Sequence, residues 1–102
     1  TEKKQENQIL QIGNLTIDRD RYLIVQDNNE IALPRKEFEL LALLISKPGK
    51  VFKREDIMNM VWGEDVVVGD RTIDVHIRKI REKLGDGLIK TVKGIGYKFD
   101  LN

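Results

Sequence analysis

The 102-residue sequence contains no cysteine and a single histidine. Without thiols there is no disulfide scaffold, thiolate metal site or cysteine nucleophile, and the composition suits a reducing cytosol. His76 has no metal-ligating residue at i+4 and no serine or cysteine nucleophile pattern beside it. That argues against metal binding and catalysis, so no cofactor and no enzyme activity are expected. Gly94, Ile95 and Gly96 lack the third glycine and the following helix of a dinucleotide fingerprint. Long hydrophobic runs are also missing. The longest, residues 40–45, falls far below the roughly 18 residues of a membrane span, and no signal-peptide pattern opens the chain. A soluble cytoplasmic protein without a membrane partner is expected.

What is there, at 40% hydrophobic, suffices for one small core but not for two. The net charge of +1 conceals an asymmetry. Residues 1–34 carry 4 basic and 6 acidic side chains, residues 35–70 carry 6 and 7, and residues 71–102 carry 8 and 4. Positive charge gathered in the last third points to a polyanion partner, although a solvated charged face is the commoner reason for such a run.

Residues 1–8 are wholly polar and read as a linker remnant or the cut end of a longer protein, leaving 9–102 as the folded domain. Short alternating blocks at 9–12, 15–17, 22–25 and 31–33, separated by Gly, Asn and Asp, predict four strands of a small N-terminal antiparallel sheet. Pro34 opens a first helix in which Phe38, Leu41, Ala42 and Ile45 recur at helical spacing, and Pro48 and Gly49 stop it. A second helix is expected over 54–62, then a loop over 64–69. Asp70 suits the N-cap of a third helix over 71–84, closed by Gly85. Strands at 89–92 and 97–99, joined by a turn over 93–96, complete an α+β chain.

The third helix carries most of the functional argument. At 100° per residue, Ile73, Ile77, Ile80 and Leu84 form one apolar stripe. The opposite side holds Arg71, Val75, Arg78, Lys79 and Glu82, with Asp74 and Arg81 on one flank and Thr72, His76 and Lys83 on the other. Residues 71–83 contain 5 basic and 2 acidic side chains. Arginine forks can bond guanine O6 and N7 together, whereas lysine offers a flexible point charge. Taken alone, this is equally a solvated amphipathic helix. The order of helix, helix, basic helix and hairpin is that of a winged helix-turn-helix, in which the third helix enters the major groove and the hairpin touches backbone or minor groove.

The run from Arg71 through Thr72, Ile73, Asp74, Val75, His76, Ile77, Arg78, Lys79, Ile80 and Arg81 to Leu84 closely resembles the recognition-helix signature of the OmpR/PhoB response regulators. Glu37 to Leu41, then Val61, Trp62 and Gly63, and finally Lys93 to Tyr97 follow the family's order, so the resemblance covers roughly residues 9–99. It implies a winged helix-turn-helix domain with a four-stranded N-terminal sheet, three helices and a C-terminal hairpin wing. Such a domain binds double-stranded promoter DNA as tandem protomers and follows a receiver domain phosphorylated by a sensor histidine kinase. The resemblance implies that Arg78, Lys79 and Arg81 face the groove, with Val75 on the same helix surface, and that Arg71 and Thr72 contact phosphate at the helix N-terminus. Lys53 and Arg54 are expected as phosphate clamps and Lys93 as the wing contact. Trp62 is placed either near the DNA backbone or in the core. Glu64, Asp65, Val66, Val67 and Val68 correspond to the segment through which some relatives touch RNA polymerase, with local packing of the valines as the alternative. Asp74, four residues before Arg78, is expected to orient that guanidinium.

Three departures stand out. Pro34 replaces the usual Thr or Ser and leaves Glu37 as half a capping box. Lys53 replaces a frequent N-cap Ser, and Lys93 replaces a frequent wing Arg, which predicts weaker minor-groove selectivity. The competing function is a protein-binding winged helix, whose third-helix face would be less basic. A membrane-tethered one-component regulator, with the domain N-terminal to a span, is a further alternative.

Overall fold

The computed structural model describes residues 9–63 and 71–100. The expected linker (1–8), the proposed polymerase loop (64–68) and the Asp70 cap lie outside the described residues. Strands β1 (Ile9–Ile12), β2 (Leu15–Asp18), β3 (Leu23–Gln26) and β4 (Asn29–Ala32) form an antiparallel sheet in chain order. Leu15, Ile17 and Ile24 turn to one face and are fully buried, the outcome of period-2 alternation. Asp27 and Asn28, both at positive φ, join β3 to β4 in the two-residue mirror-image turn that matches strand twist. Asn14 Nδ2 donates to Asp27 Oδ1 at 2.8 Å, stitching this turn to the one between β1 and β2.

Two strands are displaced from their expected positions. Tyr22 has a φ of 52°, a left-handed conformation that closes a turn, so β3 begins at Leu23. The following turn occupies only Asp27 and Asn28, so β4 starts at Asn29 and ends before Leu33, which is buried outside the strand.

Helix α1 (Arg35–Ser46) follows Pro34, whose carbonyl accepts from Phe38 N at 2.9 Å without any side-chain cap. Glu37 does not wait at the helix end for a missing capping partner. Its side chain is buried beside Lys83, with Lys83 Nζ 3.2 Å from Glu37 Oε1.

The two-residue strand β5 (Phe52–Lys53) was not anticipated. It pairs with β7 (Gly96–Phe99), which also pairs with β6 (Ile89–Val92), so the C-terminal hairpin belongs to a three-stranded sheet of order β5-β7-β6. The close approach requires glycine at 96, where a Cβ would lie 1.9 Å from the Phe52 carbonyl oxygen. Helix α2 starts as an α-helical turn (Arg54–Ile57) and continues as a π-helical stretch (Met58–Trp62). Gly63 closes it by donating to the carbonyls of Met58 and Asn59, both at 3.1 Å.

Helix α3 (Arg71–Leu84) buries Ile73, Ile77, Ile80 and Leu84, the stripe expected from the sequence. Gly85, at a φ of 108°, ends it and donates to Arg81 O at 2.7 Å. α1 packs against α3, α2 and β7. Among the described residues one hydrophobic cluster joins both sheets and the helices, and no helix is long and apolar enough to cross a membrane.

Candidate nucleic-acid interface

Burying the isoleucine stripe of α3 turns its charged side outward. Arg71, Asp74, Arg78, Lys79, Glu82 and Lys83 are exposed, while Thr72, Val75 and His76 are half-buried on the flanks. Neither Arg78 nor Lys79 is engaged in a hydrogen bond or ion pair with a described residue, so both extend an uncommitted positive charge. His76 Nδ1 donates to Thr72 O at 2.8 Å, and Trp62 meets the imidazole edge-on with ring centroids 5.0 Å apart. Trp62 is half-buried against the core, so it serves packing with part of its surface and leaves the rest open.

The wing turns through Lys93 and Gly94. Ile95 N donates to Val92 O at 2.9 Å, and Gly94 has a φ of 78°, as the third residue of a type II turn requires. Lys93 is thereby exposed at the tip. A cleft of about 330 Å³ between the wing tip and the start of α2 is lined by Lys53, Arg54, Glu55, Gly94 and Ile95. The structure thus brings two expected clamp residues beside the wing.

Asp74 does not partner Arg78. Arg54 Nη1 lies 2.9 Å from Asp74 Oδ1, Arg54 Nη2 donates to Asp74 Oδ2 at 3.0 Å, and the Tyr97 hydroxyl donates to Asp74 Oδ1. The rigid arginine fork and the strand-borne phenol form a better-placed site than a flexible neighbour one turn along the same helix. Arg54 holds the Asp74 carboxyl below the ordinary carboxylate range, and the Tyr97 bond adds to this. Burial, then the bond to Asp74, pushes the Tyr97 phenol up. The same pairing raises the Arg54 guanidinium.

The sequence resemblance groups Arg81 with Arg78 and Lys79 toward the groove, but its guanidinium reaches the wing. Nη2 donates to Ile89 O at 2.8 Å and to Thr91 Oγ1 at 2.9 Å. These links to β6 and β7 were invisible in the sequence because their partners are distant or lie in a strand. The one available signal was Asp74 itself, a carboxylate on an otherwise basic surface.

Residues 28–99 match the family described as transcriptional regulatory protein, C terminal. The heme response regulator HssR of Staphylococcus epidermidis is 42% identical over 97 residues, covering 91% of this chain and 43% of HssR. The chain therefore spans less than half the length of the curated relatives it matches. The Thermotoga maritima response regulator DrrB, an OmpR/PhoB homologue, superposes with a TM-score of 0.83 at 33% identity, over 92% of this chain and 45% of DrrB. The DNA-binding domain of Klebsiella pneumoniae RstA, solved with the RstA box, gives a TM-score of 0.80 at 30% identity, over 90% of this chain and 96% of that one. With this fold, this basic helix and these relatives, the chain belongs to the OmpR/PhoB-type C-terminal effector domains of response regulators, a family of DNA-binding transcription regulators.

Proposed function

We propose that this domain binds double-stranded promoter DNA in a sequence-specific manner, with α3 in the major groove and the β6–β7 wing on backbone or minor groove. The observation that carries the reading is the outward pair Arg78 and Lys79, uncommitted to any described residue, on a helix whose opposite face is fully occupied by the core. Arg78 reads base edges, and Lys79 reads bases or holds phosphate. Arg71 and Thr72 contact phosphate at the start of α3, with Val75 on the same surface. Lys53 and Lys93 hold backbone on either side of the wing cleft, and the open part of Trp62 lies toward the DNA backbone. Arg54 and Arg81 support the surface through their protein partners.

The relatives' greater length, their name of response regulator and the C-terminal position of the matched family support a preceding receiver domain phosphorylated by a sensor histidine kinase; on this reading the domain acts in the cytoplasm and catalyses no reaction. Tandem protomers on paired half-sites, a linker remnant at 1–8 and a polymerase contact through 64–68 complete the reading. Selection of bound fragments from the source genome tests it. A recurring motif supports it, while a failure to enrich any DNA, together with salt-independent association, returns the domain to the protein-binding class.

A further inference from the structure

We propose that Asp74 and Arg81 are positioning residues that register the wing against the recognition helix, so that the tip and Arg78 address one stretch of DNA. The inference rests on the DNA-binding reading above. Asp74, Arg78 and Arg81 stand at i, i+4 and i+7, one narrow stripe of α3. The outer two are committed to the hairpin and the middle one extends outward.

The hairpin needs such fixing. It is connected to α3 through residues 85–88, which include Gly85 and Gly87, and its strands are four residues each. On β7, Asp74 accepts from the Tyr97 hydroxyl and binds the Arg54 fork, while at the tip Arg54 N donates to Ile95 O at 3.3 Å. On β6, Arg81 holds Ile89 O at the base and Thr91 Oγ1 level with Tyr97, with its Nε buried and unbonded. Two clasps, one helical turn to either side of Arg78, thus grip the two strands of the wing, Asp74 through Tyr97 on β7 and Arg81 through Ile89 and Thr91 on β6, with Thr91 directly opposite Tyr97. The Asp74 carboxylate, which would otherwise repel phosphates, has its charge offset by Arg54.

The test compares wild type with Tyr97→Phe, which deletes only the hydroxyl, with Asp74→Ala and Asp74→Asn, and with Arg81→Lys. Backbone ¹⁵N relaxation of residues 93–95 is measured in the free domain, and hydroxyl-radical protection is mapped on the fragment that wild type selects. Positioning predicts that Tyr97→Phe and Asp74→Ala keep cooperative unfolding, lower the order of 93–95, and weaken wing protection several-fold while protection under α3 persists. Asp74→Asn, still able to accept from Tyr97, restores part of the loss. Unchanged order and protection in every variant, or losses matched by the unfolded fraction, overturn the proposal. If wild type selects no fragment, the DNA-binding reading fails, and the relaxation data still decide whether the clasps order the wing.

Discussion

Lys83, in the last turn of α3, sets its ammonium 3.2 Å from Oε1 of Glu37, a carboxylate on α1 that is only 3% exposed. The pair joins the recognition helix to the core helix. Removing the cation strands a buried charge, which is costly, but the lysine's partial exposure lets water screen the pair. Lys83→Ala is expected to destabilise the domain by about 1–2 kcal/mol in urea unfolding. The double variant Lys83→Ala, Glu37→Leu should recover most of that loss, and equal stability of Lys83→Ala and wild type would show that the pair contributes nothing.

Gly96→Ala places a methyl 1.9 Å from Phe52 O and 2.9 Å from Phe52 C. Neither backbone atom moves without separating β5 from β7. A loss of roughly 1–3 kcal/mol is expected, with hydrogen exchange accelerated first at residues 52–53 and 96–99. Wild-type stability in this variant would mean that β5 does not pair as described.

The Asp74 carboxyl lies below its ordinary range because its ionised form is bonded by Arg54 and Tyr97, with Arg71 adding a smaller attraction. A depressed folded value makes the contribution fully present above the unfolded carboxylate range near pH 4, and lost as pH falls through the folded value. The stability difference between wild type and Asp74→Asn should therefore be constant near neutrality and shrink on acidification. A difference independent of pH down to about 2 would contradict the pairing.

The two sides of α3 were legible because a 14-residue amphipathic helix repeats its pattern several times, and the four-stranded sheet because its turns carry Gly, Asn and Asp. β5 was not legible: Phe52 and Lys53 are too few to show alternation, and they become a strand only by meeting β7 more than forty residues later. Helical spacing reveals neighbours at i+4 and so points Asp74 to Arg78, whereas its partners Arg54 and Tyr97 come from other elements. The burial of Glu37 was hidden for the same reason, since local sequence presents it as a capping residue while its cation lies on α3. Local periodicity was readable; side-chain pairing across the core was not.

Lys93 at the exposed wing tip contributes charge rather than base reading under the proposed function. Lys93→Ala should weaken selected and scrambled DNA alike and reduce the slope of log K against log salt by about 0.9. A loss confined to the selected sequence would instead make Lys93 a base-reading residue.

The proposed function is tested most directly by Arg78→Ala, measured against wild type on the selected fragment and on a scrambled one at matched salt. The account predicts a loss of roughly 1–3 kcal/mol on the selected fragment, a much smaller loss on the scrambled one, and therefore a collapse of the ratio between them. An unchanged ratio would contradict the placement of Arg78 against base edges in the major groove.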